Sequence, residues 1–146
     1  MTEIDFYILD ASGPEAGLVF ACRLAEKAVG LGRHVLIRPP SRADARRLDE
    51  LLWTYSQGSF LPHRLVSDAG EAPIEPVLID DGPGPRGDRW DLLINLAVDV
   101  PDYFSRYARV AEVVDGDDGR RAHGRERYRY YRDRGYALKT SKIRAW

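Results

Sequence analysis

The sequence predicts an α/β protein in which a mostly parallel sheet lies between two layers of helices. Short apolar runs rich in β-branched side chains alternate with stretches whose apolar residues recur at helical spacing. The run around Leu92, Leu93, Ile94 and Leu96 is apolar on both sides, as expected of a strand covered by helices on both faces. Gly and Pro clusters separate these segments, and this alternation in a chain of 146 residues predicts one domain over 1–146.

Each element has its own justification. Residues 4–9 are a buried strand, stopped by Asp10, Ser12, Gly13 and Pro14. Pro14 suits a first helical turn, and Leu18, Cys22, Ala25 and Val29 follow at helical spacing until Gly30 and Gly32 close the helix. Residues 34–38 form a second strand, ended by Pro39 and Pro40. Ser41 is an N-cap with Asp44 three residues on, and Ala45, Leu48, Leu52 and Tyr55 share one face of a helix running to Trp53.

Residues 57–71 read as irregular. Val77, Leu78 and Ile79 make a third strand, with Pro73 and Pro76 before it and an exposed loop at 82–85 after it. Residues 91–97 give a fourth strand. Pro101 and Asp102 open a short helix through Tyr107, and residues 111–114 are a fifth strand. Asp117 and Asp118 start the last helix, which ends at Gly135 as its C′ residue. Tyr136, Ala137 and Leu138 add a short edge element before a flexible basic tail over 139–146.

The architecture is thus a Rossmann-like three-layer α/β/α fold, without a phosphate-binding loop. Residues 10–17, Asp-Ala-Ser-Gly-Pro-Glu-Ala-Gly, match neither GxxxxGK[ST] nor GxGxxG, and Glu15 repels phosphate. Asp80 and Asp81 after the third strand resemble a magnesium-holding pair, but without that loop they read as a strand end entering a solvated turn. His34, His63 and His123 are far apart and lack zinc spacing, and no GxSxG elbow occurs. No catalytic residue, cofactor or metal is therefore expected. Arg86-Gly87-Asp88 reads as a chance tripeptide. Cys22, the one cysteine, reads as a buried core thiol. With 44% apolar and 31% charged residues, no apolar run long enough for a membrane and no secretory leader, the chain reads as soluble and cytoplasmic.

Charge is where the sequence becomes informative. The net −1 hides ten Lys or Arg between Arg120 and Arg144 against Glu126 and Asp133 alone, a local +8 that leaves −9 for the rest. Projected at about 100° per residue, Arg121, Arg125, Tyr128, Arg129 and Arg132 fall on one helix face. Guanidinium forks suit carboxylates or phosphates, and the phenol ring supplies an apolar floor. A second constellation, Trp53 with Phe60, Leu61, Pro62 and His63, puts large apolar groups at a helix end and in a Gly/Ser segment. These groups read equally as caps on the core or as an interface.

Phe6-Tyr7-Ile8-Leu9-Asp10, Arg47-Leu48-Asp49-Glu50-Leu51-Leu52-Trp53, Ser59-Phe60-Leu61-Pro62-His63, Val113-Val114-Asp115 and Arg125-Glu126-Arg127-Tyr128-Arg129-Tyr130-Tyr131-Arg132 span nearly the whole chain in order. Together they resemble the chi subunit family of bacterial DNA polymerase III holoenzyme. The resemblance implies a non-catalytic accessory protein of the clamp loader in DNA replication. It implies pairing with the psi subunit and binding to the C-terminal tail of single-stranded-DNA-binding protein, which is acidic and ends in an apolar residue with a free carboxylate. Carried over by position, Arg121, Arg125, Tyr128, Arg129 and Arg132 are tail-binding candidates. Trp53, Phe60, Leu61, Pro62 and His63 are the psi-facing candidates, a surface that a competing helicase uses in some relatives. Contact with nucleic acid is then indirect. The alternative is a module that binds single-stranded nucleic acid directly through the basic helix. Gly116-Asp117-Asp118-Gly119 departs from the family's longer, apolar-containing connection and brings negative charge to the rim of the tail pocket.

Overall fold

The computed structural model describes residues 1–54, 61–66, 74–82, 84 and 90–144. In chain order the elements are β1 (Glu3–Leu9), α1 (Pro14–Gly30), β2 (Val35–Arg38), α2 (Arg42–Thr54), β3 (His63–Leu65), β4 (Val77–Ile79) and β5 (Leu92–Asn95). A single 3₁₀ turn (Phe104–Arg106), β6 (Arg109–Val114), α3 (Asp118–Asp133) and β7 (Leu138–Ile143) complete them. The strands form one sheet in the order β3-β4-β2-β5-β6-β1-β7, and every pairing is parallel.

Two apolar layers cover the two faces. On one, Leu18, Cys22 and Ala25 of α1 and Ala45, Leu48 and Leu52 of α2 pack on Val35, Ile37, Val77, Ile79, Ile94 and Val113. On the other, Tyr131 of α3 and Phe104 and Tyr107 around the 3₁₀ turn pack on Ile4, Phe6, Leu36, Leu93 and Val110. Burying both faces is what makes β2 and β5 apolar without alternation. Cys22 is fully buried, and burial pushes its thiol pKa up to about 12.

Helix ends follow local chemistry. Ser41 Oγ accepts the Asp44 N–H at 3.1 Å. The Asp117 carboxylate accepts the Arg120 N–H at 2.9 Å, and Gly135 leaves α3 at φ 79°.

Three expectations change. β3 lies within the stretch read as irregular: His63-Arg64-Leu65 has one apolar residue and no strand pattern, and it is extended because it pairs with β4, His63 opposite Val77. The segment read as a basic tail from Lys139 is, through Ile143, the edge strand β7, which pairs with β1 from Ile4–Leu138 to Leu9–Ile143. Its polar composition is that of an edge strand protected by lysines. The short helix expected from Pro101 to Tyr107 is only the 3₁₀ turn. No helix among the described residues is long and apolar enough to cross a membrane.

Candidate functional site

α3 crosses the sheet with one face turned inward. Gly124, Arg127 and Tyr131 are buried there. A Cβ on Gly124 would sit 3.0 Å from Val114 Cγ2, so the glycine lets the helix lie close on β6. Arg127 Nε donates to Glu112 Oε1 at 2.8 Å, and the Tyr131 hydroxyl donates to Glu112 Oε2 at 2.7 Å. Asn95 Nδ2 donates to the same carboxylate at 3.0 Å, and Arg127 Nη1 donates to Val98 O at 3.0 Å. Glu112, Asn95 and Tyr131 are 0% exposed and Arg127 is 6% exposed. A buried charge pair is stable only when its remaining hydrogen-bonding groups are also satisfied, and these bonds provide that. Burial, together with the adjacent Glu112 charge, raises the Tyr131 pKa, so the hydroxyl stays a donor.

The flank of α3 next to this face forms one wall of a cavity of about 220 Å³. Phe6 and Ile8 of β1, Val114 of β6 and Gly124 make its floor, with Arg121, Arg125 and Tyr128 from α3 and Thr140 from β7 around it. The Tyr128 ring packs edge-on to Phe6 at 5.3 Å. Arg121 is held by backbone carbonyls, its Nε donating to Asp115 O at 3.2 Å and its Nη2 reaching Leu9 O at 3.5 Å. Arg125 is exposed and has no carboxylate partner among the described residues.

Of the five residues placed on one face by helical spacing, the fold gathers Arg121, Arg125 and Tyr128 around this cavity. Arg129 is exposed and does not line it, and Arg132 donates to Asp133 at 3.2 Å. The local +8 is also partly neutralised from outside the helix. Arg120 forms a fork with Asp115 at 2.7 Å on each arm, and Arg127 is matched by Glu112. Burial works to raise the Asp115 pKa, but the Arg120 fork and the Asp117 amide outweigh it and hold the carboxyl below its usual range. Of the two carboxylates expected to burden the rim, Asp117 is spent as the cap of α3, and Asp118 is exposed in its first turn. Spacing within α3 did not reveal Gly124 or Thr140 as lining residues. An isolated glycine in mid-helix is the signal that marks a close packing site.

The second constellation sits at the end of α2 and the start of β3. Trp53 is 59% exposed and packs edge-on to His63 with ring centroids 4.9 Å apart. His63 is enclosed, its Nδ1 donating to Leu61 O at 2.8 Å and its Nε2 lying 3.1 Å from Asp49 Oδ1. Leu61 belongs to the core and Pro62 is exposed. The structure therefore divides this group into an outward pair, Trp53 and Pro62, and an inward pair, Leu61 and His63. Phe60, Tyr55 and the Arg86-Gly87-Asp88 tripeptide lie outside the described residues.

At the carboxyl ends of the strands, where open α/β sheets bind ligands, a cavity of about 300 Å³ is lined by Gly17, Leu96, Val98, Val113, Asp115 and Arg120, and its Asp115 and Arg120 pair with each other. The Asp115 carboxylate accepts from the amides of Asp117 and Gly13, and Ala11 O accepts the Gly116 N–H at 2.9 Å. The amide just ahead of α1 therefore faces an internal carboxylate. Asp80 accepts the Gly82 N–H at 2.8 Å and Asp81 pairs with Arg42 at 3.2 Å, so the acidic pair serves the loop. No cluster of metal-ligating side chains occurs among the described residues.

The family model for the DNA polymerase III chi subunit, HolC, matches residues 1–139. DNA polymerase III subunit chi of Pseudomonas aeruginosa is 37% identical over 98% of both chains. The protein of that name from Haemophilus influenzae is 34% identical over 94% of this chain and 95% of its own, and that from Escherichia coli is 33% identical over 97% and 98%. In fold alone, the chain is similar to the crystal structure of T4 UvsW, with a TM-score of 0.71 at 9% identity, over 98% of this chain and 42% of that one. The chain belongs to the DNA polymerase III chi subunit family and is an accessory, non-catalytic component of the replication machinery.

Proposed function

We propose that this chain links the clamp loader of DNA polymerase III to single-stranded-DNA-binding protein in the cytoplasm. In this reading the cavity between α3 and β7 takes that protein's acidic C-terminal tail, and the Trp53 and Pro62 surface faces the psi subunit or a competing helicase. The observation that carries it is the cavity itself: about 220 Å³ of space over Phe6, Ile8 and Val114, with Arg121 and Arg125 beside it. A dry cavity of about 150 Å³ can hold a benzene ring, so this one accommodates a bulky terminal side chain. The two guanidinium groups are then at hand for its free carboxylate.

A fluorescence titration with a peptide copying the tail tests the reading. Binding on the micromolar scale is expected, weakened by salt and by Arg125→Ala. Absence of binding by the folded protein rejects it. For the other surface, Trp53→Ala is expected to reduce capture of psi and leave peptide binding intact. Loss of both would mean that Trp53 supports the fold.

Direct binding of single strands requires exposed rings for base stacking. The rings of α3 are engaged instead. Tyr131 is fully buried, Tyr128 lies against Phe6, and Arg134 stacks 3.4 Å above the Tyr130 ring. Titration with a poly-T oligonucleotide is expected to show weak binding abolished by salt, and tight binding would favour that alternative.

A further inference from the structure

The proposed groove has a second wall, supplied by the edge strand. β7 runs parallel to β1, with Phe6 opposite Thr140 and Ile8 opposite Lys142. Registered partners share a face of the sheet, and successive residues alternate between faces. Leu138 packs in the layer under α3, Thr140 lines the cavity, and Ile143 packs on the α1 side. This alternation puts Lys142 on the cavity side. Its level in the strand is near the carboxyl ends, where Arg121 reaches Leu9 O. Lys142 is exposed and forms no ion pair among the described residues.

At the level of Phe6, the edge-on contact of Tyr128 with that ring bridges α3 and β1. A chain whose end occupies the cavity leaves toward the carboxyl ends, between α3 and β7, and passes Lys142. We propose that Lys142 is the second cationic rim of this groove, contacting acidic residues that precede the ligand's apolar end. Arg121 and Arg125 hold the terminal carboxylate, whereas Lys142 selects the acidic character of the segment before it. The inference rests on the tail-binding reading for the class of ligand and concerns a separate contact.

Two synthetic peptides sharing one apolar C-terminal end separate the two claims, one with aspartates ahead of that end and one with serines in their place. Against the full chain at low salt, Lys142→Glu is expected to weaken the aspartate peptide by about three- to tenfold, and Lys142→Gln by less. The serine peptide is expected to bind the wild type and both variants alike, while Arg125→Ala weakens both peptides. If Lys142→Glu and Lys142→Gln leave the aspartate peptide unchanged, or weaken both peptides equally, Lys142 has no such role. If neither peptide binds the wild type, the tail-binding reading fails first and this inference fails with it.

Discussion

The two long faces of α3 carry the same residue types to opposite ends. Inward, Arg127 and Tyr131 meet Glu112 on β6 and are sealed beneath the helix. On the flank toward β7, Arg125 has no carboxylate partner among the described residues, and Tyr128 borders a cavity. An arginine and a tyrosine three or four residues apart in sequence therefore serve packing in one place and line an open cavity in the other. What separates them is the presence of Glu112 and Asn95 in the sheet below, since a buried cation persists only beside a compensating group.

Removing the inward partner is the strongest way to break this contrast. Glu112→Ala strands the Arg127 charge in the core, and the loss is expected to be about 3–5 kcal/mol in denaturant unfolding, enough to lower peptide binding with it. The outward counterpart acts on binding alone. Arg125→Ala is expected to leave stability within about 0.5 kcal/mol while lowering tail-peptide affinity by about tenfold.

The Asp115–Arg120 fork lies at the start of α3, on the same side as Arg127. The Asp115 pKa is below 3.8 in the folded chain, so its stabilisation is complete above that value and is lost as pH falls through the lower folded-state value. Thermal melts between about pH 5 and about pH 2 are therefore expected to fall less steeply for Asp115→Asn than for the wild type. The smallest effect is expected at Arg129. It is exposed and off the cavity, so Arg129→Ala is expected to change peptide affinity by less than about twofold, mainly at low salt. A loss as large as that of Arg125→Ala would extend the recognition face past the cavity.

Most of the fold is legible in the chain because local signals agree. Pro14, Ser41, Asp117 and Gly135 mark helix ends, and the apolar runs mark the central strands. The edges are not legible. β3 and β7 have little apolar pattern because each has only one neighbouring strand, and their extended state comes from pairing with β4 and β1. The candidate site divides in the same way. Helical spacing alone puts Arg121, Arg125 and Tyr128 together, whereas Thr140 and Lys142 join them only through the register of β7 with β1.

By itself the sequence determined the alternation of strands and helices, the basic character of α3, and the motifs that place the chain in its family. Only the tertiary structure decided which of the cations are available. Glu112 and Asp115 are outside α3, and Glu112 lies fifteen residues from Arg127 on a different element. Charges cancel by distance in space, so a count along the chain could locate the basic segment but could not say which of its arginines remained for a partner.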